Sequence, residues 1–102
     1  MSVAVIEKQG TTLKVRPEGR LDAVRSTQLQ NEITPYLEDT DRIEMDFSEV
    51  VYIASGGLRL LMWLERKVEQ RGGEVQVAHA PEVVLKIFEL AGFMSIVHVI
   101  RE

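Results

Sequence analysis

The sequence predicts an α/β domain, a mixed and largely parallel β-sheet with packed α-helices in the order ββαβαβαβ. The first observation behind this is alternation: from residue 20 onward, runs with the two-residue period of a strand take turns with runs spaced for a helix. Crossover helices join parallel strands in this way. The second is punctuation, with Gly10, Gly72-Gly73 and Gly92 at the ends of the periodic runs. The third is bulk composition. A chain of 102 residues that is 45% hydrophobic and 27% charged is ordinary for one globular domain with one core. No repeat or linker-like tract divides it, so residues 1–102 read as a single unit.

Residues 3–8 and 12–17 are β-rich runs joined at Gln9-Gly10, and Leu13 and Val15 alternate with Lys14 and Arg16 as in a hairpin. After Gly19-Arg20-Leu21-Asp22, the spacing of Val24, Leu29, Ile33, Tyr36 and Leu37 predicts an amphipathic helix. Pro35 has no backbone donor, so its last turn is expected to kink or weaken. Residues 42–47 place Ile43, Met45 and Phe47 on one face and Glu44 and Asp46 on the other, and Val50 to Ile53 extends this strand-like region toward Ser55. A helix over residues 56–70 follows, with Leu60, Leu61, Leu64 and Val68 as its core stripe and Gly72-Gly73 as its stop. Val75 and Val77 mark the next strand. Pro81 stands where the first turn of a helix tolerates proline, Val84, Ile87, Phe88 and Ala91 form that helix's stripe, and Gly92 ends it. Residues 96–100 make the last strand.

Composition narrows the function. The absence of cysteine excludes thiol catalysis, cysteine-held zinc and disulfide stapling, and agrees with a reducing compartment. The first residues lack a basic segment leading into a long apolar run, and no apolar run is long enough to span a bilayer. A cytoplasmic location without membrane insertion is therefore expected. A net charge of −4 with both signs interspersed offers no footprint for nucleic acid. His79 and His98 are far apart and no second acid stands at ligand spacing from Asp46, so neither a metal nor another cofactor is expected.

The chemistry-bearing stretch runs from Asp46 to Arg59, where a strand passes through a glycine-rich turn into a helix. A serine at or near the N-cap, as Ser55 is placed, can accept a bond from a free helical N–H, and Gly56 and Gly57 permit a tight turn. The same position offers unpaired amides and the positive end of the helix dipole to a phosphoryl group on Ser55. Both readings stay open. On the helix that follows, Arg59, Met62, Arg66 and Gln70 lie opposite the core stripe, with Trp63 at that side's edge. Aromatic residues, Met and Arg are enriched at protein interfaces, yet a tryptophan also serves to cover the seam between two helices. Asp22 reads as an N-cap or turn residue.

The run Asp46-Phe47-Ser48-Glu49-Val50-Val51-Tyr52-Ile53-Ala54-Ser55-Gly56-Gly57-Leu58 resembles the signature of the STAS family of anti-sigma factor antagonists. In that signature an apolar strand leads to Asp-Ser-Ser-Gly-Leu or a Ser-Ser-Ala-Gly-Leu variant. Gly19-Arg20-Leu21-Asp22 is similar to the family's Gly-x-Leu-Asp turn, and residues 80–93 to its last main helix. The resemblance covers nearly the whole chain in order. It implies a STAS-like fold and a non-enzymatic role in partner switching. The unphosphorylated domain would bind an anti-sigma factor that is also a serine kinase, phosphorylation would release it, and a serine phosphatase would reset it. Ala54 stands at the family's usual Asp, and Gly56 where the second serine, generally the phosphate acceptor, would be. The resemblance implies either that Ser55 has taken over as acceptor, as is expected, or that the domain is a permanently active antagonist. The expected contact surface comprises Asp22, Ala54, Gly56, Gly57, Arg59, Met62, Trp63 and Arg66, on a monomer or weak dimer.

Three rivals differ in class. A hydrolase nucleophile elbow would read Gly-x-Ser-x-Gly, but Ile53 occupies the first glycine position and no convincing His and acid partners are present. A receiver-type acceptor at Asp46 lacks the acidic pair expected after the first strand. The third keeps the fold and changes the role, to a STAS scaffold in a sensory assembly or lipid-transport machine, or a nucleotide-sensing module.

Overall fold

Successive side chains of a strand point to opposite faces, and Leu13 with Val15, Ile43 with Met45, and Val75 with Val77 share one buried face. The computed structural model, which describes residues 3–101, pairs β1 (Ala4–Gln9) with β2 (Thr12–Leu21) as an antiparallel hairpin. β3 (Arg42–Asp46), β5 (Glu74–Ala78) and β6 (His98–Ile100) add in parallel, giving the order β1-β2-β3-β5-β6, while β4 (Glu49–Ile53) pairs in parallel with the far half of β2. The mixed, largely parallel sheet expected from sequence is present. Among the described residues it has six strands, and the order is ββαββαβαβ.

The extra strand comes from residues 42–53, which the sequence presents as one strand-like region. Asp46 Oδ1 accepts the Ser48 N–H at 2.9 Å, and the Phe47 carbonyl accepts the Val50 N–H at 3.0 Å, so the chain turns there and starts again. Phe47 at this turn is fully buried, its ring 6.3 Å from that of Phe88. β2 likewise runs past Pro17, its expected end, because its second half has a partner of its own in β4.

Leu13, Val15, Ile43, Met45, Val75 and Val77 form the closed face of the sheet. Over it lie α1 (Ala23–Ile33), through Leu29 and Ile33, and α2 (Ser55–Glu69), through Leu60, Leu61, Leu64 and Val68. Full burial of each such side chain contributes about 1.5–3 kcal/mol. α3 (Glu82–Ala91) packs against β4 and brings Phe88 between Phe47 and Phe93. On the other face Lys14, Glu44, Gln76 and His98 stand in register across four strands, polar and at least partly exposed.

Other boundaries also differ from the sequence reading. α1 ends at Ile33, and Thr34–Asp39 continues as a 3₁₀ helix with Pro35 in its first turn, which is the anticipated weakening; Val24 and Tyr36 are exposed and not part of its core stripe. α2 begins and ends one residue earlier than expected. The last strand is shorter, because the Ile96 and Val97 N–H groups both turn back to the Phe93 carbonyl at 3.0 and 3.2 Å.

Candidate functional site

Leu21 and Ile53, the last residues of β2 and β4, are paired, so the two strands stop side by side and the helices that follow them start together. The Ala54 N–H donates to the Leu21 carbonyl at 3.0 Å and ties the two turns. At α1 the start is capped: Asp22 Oδ1 accepts the Arg25 N–H at 2.9 Å. At α2 it is not. Ala54 occupies the N-cap with extended backbone and no side chain able to accept, and Ser55 is the first helical residue. The Ser55 hydroxyl is exposed and has no hydrogen-bond partner among the described residues. The capping role left open by the sequence is thus not the one Ser55 plays.

Both glycines after Ser55 are required by close approach. A Cβ at Gly56 would lie 2.8 Å from the Ala23 Cα, and one at Gly57 would lie 2.6 Å from Ile53 Cγ1 and 2.9 Å from the Leu21 carbonyl oxygen. The second serine of the family signature has no room at position 56, because the start of α1 fills that space.

Several residues outside the expected contact set gather here. The β2–β4 register steps from Gly19↔Val50 to Arg20↔Tyr52, which leaves Val51 as a bulged residue, 60% exposed. Val24 in the first turn of α1 is 68% exposed. The Arg20 guanidinium lies 4.7 Å above the Tyr52 ring, and Arg25 Nη1 donates to the Glu18 carbonyl at 2.8 Å. Val24 could have been found on the helical wheel, since it falls about 140° from Leu29 at about 100° per residue. The bulge that turns Val51 outward leaves no mark in the β4 sequence.

Along α2 the expected contact residues divide. Arg59 is exposed and lines a groove of ≈ 330 Å³ between α1 and α2, together with Ala23, Ser26, Gly56 and Trp63. Met62 and Trp63 are half-buried against the core. Trp63 fills the seam between the helices, with the Lys67 ammonium 5.4 Å above its ring. Arg66 Nη2 donates to Met62 Sδ at 3.2 Å, outside the groove. The structure therefore brings Asp22, Ala54, Ser55, Gly56 and Gly57 together at one end and runs Arg59 and Trp63 away from it along a groove.

Asp46 and His79 share the wall of an open cleft on the polar sheet face, where His79 has φ of 59°. Among the described residues no group of three His, Cys, Asp or Glu is placed to hold a metal ion. Among those same residues no helix is long and apolar enough to cross a membrane. Burial pushes the Glu65 carboxyl above the usual range, opposed by the Val75 N–H it accepts at 3.0 Å.

A family model described as Mlab, STAS domain matches residues 4–98. The chain belongs to the STAS domain family. This STAS domain is 28% identical over 80 residues to BtrV of Bordetella bronchiseptica, an anti-sigma factor antagonist by name, a match that spans 78% of this chain and 69% of that one. It is 22% identical over 100 residues to the anti-sigma-B factor antagonist of Bacillus subtilis, spanning 97% and 92% of the two chains. Among solved structures it superposes on the anti-sigma factor antagonist SpoIIAA in its unphosphorylated form with a TM-score of 0.84 at 20% identity, covering 97% of this chain and 89% of that one. For the phosphorylated form of SpoIIAA the TM-score is 0.75, with 97% and 92% covered. These relatives carry the names of regulatory binding proteins and not of enzymes.

Proposed function

We propose that this STAS domain is an anti-sigma factor antagonist that switches partners. Unphosphorylated, it binds an anti-sigma factor that is also a serine kinase; phosphorylation of Ser55 releases that partner, and a serine phosphatase restores binding. The observation that supports this best is the Ser55 hydroxyl, exposed and unbonded on the first residue of a helix whose N-cap has no side-chain acceptor. The Gly57 and Leu58 N–H groups already donate to the Ala54 carbonyl at 3.0 and 3.1 Å, so a phosphate there would meet the Ser55 and Gly56 N–H groups and the positive end of the dipole. Arg59, one turn along at i+4, adds a cation. The exposed Val24 and Val51 supply apolar contacts beside this point. A phosphate adds about −1.5 to −2 charges at pH 7, and set among such contacts it opposes docking by desolvation and repulsion.

Crowding supports Ser55 as the acceptor: position 56 has no space for a side chain, and Ser55 is exposed. The test is incubation with the cognate kinase and ATP followed by peptide mass spectrometry. Phosphate on Ser55 is expected; phosphate on Ser48 alone, or on no residue, overturns the switch. The second reading is a STAS scaffold in a larger complex without a phosphoswitch. It is favoured by Ala54 and Gly56, which remove the family's carboxylate and second hydroxyl, and it predicts partner binding that kinase and ATP leave unchanged.

A further inference from the structure

The groove between α1 and α2 has a feature that core packing does not explain. Ser26 is 4% exposed, lines the groove, and its Oγ is a buried polar atom without a hydrogen-bond partner among the described residues. Buried hydroxyls are nearly always paired, because losing water without a replacement is unfavourable. Arg59 is the one charged residue lining the same groove, and it has no ion-pair partner among the described residues. Past Trp63 the seam continues as a second cavity of ≈ 330 Å³, whose charged lining residues are Lys67, Arg71 and Glu38. Three cations thus face one carboxylate along this seam, on a chain whose net charge is −4.

We propose that the α1–α2 seam is the docking groove for an acidic segment of a protein partner, in which Arg59 and the Ser26 hydroxyl together receive a carboxylate. Lys67 and Arg71 hold further acidic side chains beyond Trp63. Arg59 supplies the charge and Ser26 a donor proton that the free chain leaves unused. The groove floor is reached by movement of the Arg59 and Trp63 side chains, the kind of rotamer change common at interfaces. The proposal deepens the partner-binding reading above and relies on it for the existence of a partner. It does not rely on phosphorylation of Ser55.

The test uses the purified, unphosphorylated full chain and two fluorescein-labelled probes, a hexaglutamate peptide and its hexaglutamine counterpart, followed by anisotropy and by the Trp63 indole N–H signal in NMR. Saturable binding of the glutamate peptide alone is expected, with the indole signal shifting. Arg59→Gln should weaken it about tenfold, as for loss of a charge-assisted contact. Ser26→Ala should weaken it about threefold or more while leaving Tm equal or higher, because it removes an unpaired buried hydroxyl. Lys86→Gln on α3 should change nothing. Equal binding of both peptides, equal weakening by Lys86→Gln and Arg59→Gln, or a Ser26→Ala effect that appears only with a fallen Tm overturns the proposal. None of these outcomes touches the phosphorylation experiment, so the two failures are distinguishable.

Discussion

The two ends of α2 are built on opposite terms. At its C-terminal end the backbone closes on itself: the Gln70 and Gly73 N–H groups return to the Arg66 and Val68 carbonyls, and Arg66 and Lys67 in the last turn complement the dipole. At its N-terminal end nothing caps the helix, the first residue carries a free hydroxyl, and two glycines press against the neighbouring turn. The satisfied end serves stability. The open end leaves donors, dipole and an exposed serine together, the arrangement on which the proposed switch rests.

Substitutions at the two ends separate packing from conformation. Gly57→Ala should lower stability most, by about 1–3 kcal/mol, because its methyl group meets backbone and Ile53 in a space already filled. Gly56→Ser, which restores the family's second serine, should cost a similar amount by pushing α1 away. Chemical denaturation measures both, and a neutral Gly56→Ser would remove the steric reason for choosing Ser55. At the other end Gly72→Ala meets no neighbour within 4 Å, yet its φ of +79° penalises any Cβ. A loss of about 1 kcal/mol is expected there, from backbone conformation alone.

Filling the open end should act in the opposite direction. Ala54→Ser puts a capping oxygen on a backbone already in the N-cap conformation, and should raise stability by about 0.5–2 kcal/mol. If Tm does not rise, the α2 start is not as unsatisfied as its geometry indicates.

The smallest effect concerns pH. Glu65 is held above its ordinary pKa mainly by burial, so the folded state binds its proton more readily than the unfolded one. Stability from this group therefore grows as pH falls through its folded pKa toward the ordinary value, and is absent at neutral pH. Glu65→Gln should flatten that slope in thermal melts between pH 4 and 7 while keeping the acceptor for Val75 N–H. An unchanged slope would assign the dependence to other carboxylates.

The sheet and its helices were largely legible because their signals are local. Leu13 with Val15, Ile43 with Met45, and Leu60, Leu61, Leu64 and Val68 all carry the right period and all lie in the core. The break at Phe47-Ser48 was not, since the apolar alternation runs through Phe47 without interruption and the turn rests on two hydrogen bonds, from the Ser48 N–H to Asp46 Oδ1 and from the Val50 N–H to the Phe47 carbonyl. Asp22 was recognisable as a cap because capping is decided within one turn. The rest of the site depends on neighbours far along the chain. Ala23 decides what fits at position 56, the β2 register turns Val51 outward, and Ser26 becomes a groove residue only because α2 crosses it.

The decisive measurement is calorimetric affinity for the cognate anti-sigma factor of three forms of the chain. Wild type and Ser55→Ala should bind alike, and Ser55→Asp should bind at least about tenfold more weakly, a difference of about 1.4 kcal/mol. Equal affinity for all three would contradict the switch and leave Ser55 as no more than the first residue of a helix.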